Sequence, residues 1–240
     1  WWDPHVLRLD VEANFGIRQE DLLAKDNSEE TVESDLHRYR AWRQRRKQTL
    51  DRASTASLVV KTVTERAHSM LKSGQRNQIA TAGVVVVNLA KNPCRPSGKR
   101  FGSLVHAVLA TVPLGDPLSA NETAALHGRI LGATEAEVRA AANAAVLAMK
   151  HPVLERARSA AARGECRREV PLASRDEDGS LIEGVVDLAF RDPNGWTVVD
   201  FKTDVELDSA LDLYRQQVAI YASIINKVTG EPVVPMLLRV

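Results

Sequence analysis

The stretch GVVDLAFRDPNGWTVVDFKTD, residues 184–204, decides how this chain is read. Two apolar runs, 181–190 and 196–202, flank Asp192-Pro193-Asn194-Gly195, which has Asp, Pro and Gly at the first, second and fourth positions of a type I turn. The runs are therefore expected to be antiparallel neighbours. With Asp192 opposite Gly195, Phe190 faces Thr197, Leu188 faces Val199 and Val186 faces Phe201, which gives one apolar face for the core. The same register sets Asp187 opposite Asp200, with Lys202 on that second face beside Val185. Like charges so opposed destabilise a hairpin unless a cation lies between them or one carboxylate is protonated. Hard oxygen donors at that spacing suit Mg2+ or Mn2+. A lysine one pleat away can orient a water or, as the neutral amine, deprotonate it, or as an ammonium meet the charge that develops on a phosphate. The pattern points to metal-assisted phosphodiester hydrolysis, although an isolated D…DxK spacing also occurs on ordinary exposed hairpins.

Outward from the hairpin, residues 208–227 have the pattern of an amphipathic helix, followed by a last apolar strand, PVVPMLLRV. On that helix Tyr214, Gln217 and Tyr221 share one stripe, with Leu213, Ile220 and Ile224 on an adjacent apolar one. Before the hairpin, a strand over 166–173 carries Glu169. Upstream of it an Ala/Leu-rich helical subdomain, about 101–163, falls into segments 101–112, 119–131, 134–149 and 152–163, broken by Pro113, Gly115, Gly132 and Pro152. In the first segment Phe101, Leu104, Val105, Val108, Leu109 and Val112 form the apolar stripe, and His106 stands at its border. SLVVKTV (57–63) and GVVVVN (83–88) read as strands, KNPCRPSGK (91–99) as a loop. Residues 34–51 read as a basic helix in which Arg43, Arg46 and their neighbours can track phosphates, or simply form a solvated face. The fold class is α/β with a mixed central sheet flanked by helices, and the expected domains are an arm over 1–56 and a catalytic domain over 57–240.

The composition is globular: 240 residues, 44% hydrophobic, 26% charged. No run of ~18 apolar residues offers a membrane helix and no secretory signal opens the chain, so a cytoplasmic protein is expected. Two cysteines without a CxxC spacing support neither a disulfide framework nor a four-thiolate metal site. A net charge of +1 leaves nucleic-acid binding open, because the distribution of Lys and Arg decides it. The opening Trp1-Trp2-Asp3-Pro4, without an initiator Met, reads as part of something longer.

Several ordered blocks then resemble the nuclease domain of the RecB/AddA-type helicase–nucleases, members of the PD-(D/E)xK superfamily. They are RFGSLVH (100–106), EVPL (169–172), EGVVDL (183–188), VDFKTD (199–204) and YRQQVAIY (214–221). The resemblance covers about 101–240 and implies a restriction-endonuclease-like fold. It also implies a Mg2+ or Mn2+ ion held by His106, Asp187, Asp200 and the main-chain carbonyl of Phe201, with Lys202 as the catalytic lysine. Glu169 matches an acidic position that ligates or orients a second cation or its waters, and one- and two-metal mechanisms both stay open. Gln217 and the hydroxyls of Tyr214 and Tyr221 are implied to point toward the metal site or the DNA backbone. The family's task is cutting DNA, here expected to be single-stranded, in double-strand-break processing and recombinational repair. The motor would lie in the same full-length chain, since no GxxxxGK[ST] loop occurs here. A second subunit stays open. Two cysteines are too few for the four-cysteine iron–sulfur cluster of AddB-like relatives, so no such cluster is expected. A catalytically inactive DNA-binding module and a phosphohydrolase of small substrates are the rival readings.

Overall fold

The computed structural model describes residues 28–73, 81, 83–89, 95–203 and 210–240. The opening Trp1–Pro4, residues 91–94 of the expected loop, Asp204 and the first residues of the helix expected from 208 lie outside them. Contacts divide the chain into two units, Trp1–Ser57 and Leu58–Val240. In the first, α1 (Glu29–Ser54) extends the expected helix at both ends; the Ser28 side chain caps it, and none of its residues is buried.

The second unit is built on a six-stranded mixed sheet. Its elements in order are β1 (Val60–Thr62), α2 (Val63–Lys72), β2 (Val85–Asn88), α3 (Lys99–Thr111), α4 (Ala120–Leu131), α5 (Glu135–Met149), α6 (Pro152–Ala162), β3 (Cys166–Arg175), β4 (Leu181–Asp192), β5 (Gly195–Lys202), α7 (Leu211–Thr229) and β6 (Val233–Arg239). The strand expected over 57–63 is cut to three residues because Thr62 caps α2. Its hydroxyl accepts from the Glu65 amide, while the Glu65 carboxylate accepts from the Thr62 amide. The helical subdomain breaks where expected, with Gly132 in left-handed geometry after α4 and Pro152 at the start of α6.

Two apolar clusters cover the sheet. One packs α3–α6 against Leu188, Phe190, Val199 and Phe201; the other packs Val63 and α7 against Ile182, Val186, Ala189, Val198 and Leu237. Both faces of the sheet are thus core, as expected for strands covered by helices on each side.

The hairpin pairs as read from sequence: Asp192 with Gly195, Phe190 with Thr197 and Leu188 with Val199. The ladder ends there. The pairs expected next, Asp187 with Asp200 and Val186 with Phe201, are not part of it, and Val186 packs in the opposite cluster from Leu188 and Phe190. The reason lies in β4's other neighbours. β3 pairs antiparallel with β4 along nearly its whole length, so β1 and β5 share the remaining edge: β1 takes Leu181–Glu183 and β5 takes Leu188–Asp192. Between them β4 leaves β5, and the two strands form a fork. On the β3 side the register is unbroken except at Glu169 and Asp187, where Glu169 adopts a left-handed φ of 49°. Such a conformation is uncommon for a residue with a Cβ, and it re-aims side chains much as a bulge does.

Candidate active site

The fork gathers side chains from both layers. Asp187, freed from the ladder, accepts a hydrogen bond from the Phe201 amide on Oδ2 at 2.7 Å, so its side chain takes the place of a strand-to-strand bond. Its Oδ1 lies 3.2 Å from His106 Nδ1, the border residue of α3, and the imidazole meets the Phe201 ring edge-on at 6.4 Å. The C-terminal end of α3 is tied down by Arg168, which donates to the Leu109 and Val112 carbonyls. This anchor was not visible in the sequence, because only the fold brings residue 168 to that helix end.

On β5, Asp200 is 3% exposed. Lys202 Nζ stands 2.7 Å from Asp200 Oδ2, but off the hydrogen-bonding directions, so that buried oxygen has an ionic neighbour and no hydrogen-bond donor. The ammonium also lies 4.5 Å over the Tyr214 ring, a contact that holds it beneath α7. Gln217 Nε2 donates to the Tyr221 hydroxyl at 3.4 Å. The Tyr221 ring is buried against Gly184, where a Cβ would stand 2.7 Å from it; the glycine of the EGVVDL block is needed for that approach. Tyr221 is therefore both a packing residue and a wall of the fork.

The charges are in conflict. Burial pushes the Asp200 carboxyl up to about 6, with Lys202 opposing and the Asp187 charge adding to the rise. Partial burial and the same Asp187 charge push Glu169 up, while His106 opposes. Burial works against a charged His106, yet the bond to Asp187 and the two carboxylate charges outweigh it and raise the imidazole's pKa. Without a cation the site holds protons that its environment would exchange for positive charge.

Asp187, Asp200 and His106 offer the oxygen and imidazole donors that a hard divalent cation accepts, and the orphaned Asp200 oxygen is one of them. The donor chemistry fits. Among the described residues, however, no three His, Cys, Asp or Glu side chains converge closely enough to enclose an ion by themselves. Arg43 and Arg46 stand on α1, in the other unit, with the Arg46 guanidinium 6.0 Å over the Trp42 ring.

A mixed sheet that splays at two acidic residues, with a lysine two positions after the second, gathers two carboxylates and an ammonium at its open end. The sequence profile of the PD-(D/E)XK nuclease superfamily matches residues 85–238, more than half of the chain, and the chain belongs to that superfamily. No curated protein matches it. Among the described residues no helix is long and apolar enough to cross a membrane.

Proposed function

We propose that this chain is the nuclease domain of a RecB/AddA-type helicase–nuclease, cutting single-stranded DNA that a motor in the same full-length protein delivers during break processing and recombinational repair. The observation that carries the reading is the Lys202 ammonium 2.7 Å from a buried Asp200 carboxylate, beside an Asp187 released from the strand ladder. The ordered blocks from Arg100 to Tyr221 support the particular branch.

In this reading Asp187, Asp200, His106 and the Phe201 carbonyl hold Mg2+ or Mn2+, and Glu169 orients a second cation or its waters. The bound cation would neutralise the paired carboxylates and act as a Lewis acid toward the phosphate. Lys202, as its ammonium, orients the attacking water and faces the negative charge growing on the phosphate oxygens, while the water gives up its proton to solvent. The water oxygen forms a bond to phosphorus, one ester P–O bond breaks, and the departing oxygen leaves with a proton from solvent. Gln217 and the hydroxyls of Tyr214 and Tyr221 point toward the metal site or the DNA backbone, and Arg43 and Arg46 contribute phosphate contacts on α1.

The test is cleavage of end-labelled single-stranded and duplex DNA by this chain in Mg2+ or Mn2+, with EDTA and Lys202→Ala as controls. Metal-dependent cutting that favours single strands and is lost in the variant is expected. Turnover of a small phosphate ester with no cutting of any DNA would contradict the reading.

A further inference from the structure

Beside the fork, the space between β3, β4, the start of α2 and α7 forms a cleft of about 550 Å3. Val63, Pro171, Leu172, Val185 and the Tyr221 ring wall it, and the exposed Val185 side chain presents a methyl surface to it. Its one charged lining residue is a carboxylate, Glu183. No lysine or arginine lines it. Val185 and Asp187 are two residues apart, about 7 Å along β4, and Tyr221 borders both the cleft and the fork.

These features select their occupant. A phosphate would meet a carboxylate and no cation, so the backbone of a bound strand stays with Lys202. A flat group with apolar faces and N–H donors at its edge suits the walls, because a face can bury against the exposed cross-strand pair Pro171 and Val185 while the edge donates to Glu183 on the same side of the sheet. We propose that the cleft receives the nucleobase next to the scissile phosphate, unstacked from its neighbours; this rests on the nuclease reading above. The consequence is a substrate preference built into the fold. A base paired within a duplex must first be unpaired to enter, whereas one in a single strand need only leave its stack.

The experiment uses single-stranded oligonucleotides in which one abasic site is moved stepwise along the sequence. Cleavage of the bond at a fixed offset from the abasic position should slow by on the order of tenfold, the size of one lost base contact, chiefly through KM. Val185→Trp, which fills the cleft, should slow cutting of intact DNA similarly and remove the sensitivity to abasic sites, with an unchanged melting temperature showing that it folds. Equal cleavage at every bond regardless of the abasic position would overturn the proposal. A second readout does not depend on cutting: with Lys202→Ala and Ca2+, a 2-aminopurine at the same offset should brighten on binding as it unstacks. Binding without brightening overturns the cleft assignment even if the nuclease stands. Failure of the wild-type chain to cut any DNA counts against the nuclease reading instead. A cleft filled by another protein segment would show as indifference to both base probes.

Discussion

At the turn of the β4–β5 hairpin, Asp192 accepts from Arg156 Nε at 2.8 Å and from the Asn194 amide at 2.9 Å. Arg191 there bonds both Glu165 and Glu231. At the open end of the same hairpin, Asp200 has a buried oxygen with no hydrogen-bond donor. The same residue types behave oppositely at the two ends. Burial works against the Asp192 charge, but Arg156 and the Asn194 amide hold its pKa below the ordinary carboxylate value. Glu165 is held low mainly by its bond to Arg163, whereas Asp200 and Glu169 are pushed up by burial. Charge at the closed end is satisfied within the protein and contributes to stability. Charge at the fork is only partly satisfied within the protein, a conflict that is common where groups are poised for chemistry.

The contrast breaks most visibly at Lys202. Lys202→Ala should lower the cleavage rate at least ~100-fold in an end-labelled DNA assay, while its thermal melt stays cooperative. Next in size is the pH dependence of the metal-free protein. The folded Asp200 carboxyl titrates near 6 against an unfolded value of 3.8, so between those values the native state keeps a proton that the unfolded chain has lost. Stability should therefore fall as pH rises through that window, by up to about 3 kcal/mol. His106, also raised, adds a loss in the same direction above its ordinary value. Denaturant titrations from pH 4 to 8 check this, and Asp200→Asn should flatten most of the slope below pH 6.

At the closed end the expected effects are on stability and not on chemistry. Gly195 has a φ of 112°, and a Cβ there would stand 2.4 Å from the Pro232 carbonyl oxygen. Gly195→Ala should cost roughly 1–3 kcal/mol by chemical denaturation, with the folded fraction cutting DNA at the wild-type rate. Arg156→Ala removes the Asp192 pair and the guanidinium lying 5.4 Å over Phe190. The half-exposed side chain limits the loss to about 1 kcal/mol, again without a change in rate.

Much of this was legible because it is local. The Asp192–Gly195 turn sets the hairpin register, the helical period puts Leu104, Val105 and Val108 inside and His106 at the edge, and Gly132 and Pro152 mark helix ends. The fork was not legible. It arises because β1, far away in sequence, pairs with Leu181–Glu183 on the edge that β5 uses further along. Strand alternation alone therefore placed Val186 with Leu188 and Asp187 in a ladder with Asp200, where the structure has neither. No residue preference announces the left-handed backbone of Glu169. The Lys202–Tyr214 contact and the Arg168 anchor on α3 likewise depend on tertiary neighbours, not on spacing.

The most direct test of the central claim is a calorimetric titration of Mn2+ into the wild-type chain and into Asp187→Ala and Asp200→Ala at about pH 6, where the Asp200 carboxyl is still partly protonated. Saturable binding in the wild type, with release of protons and loss in both variants, is the result this account predicts. Binding of undiminished affinity in the Asp200→Ala protein would contradict it.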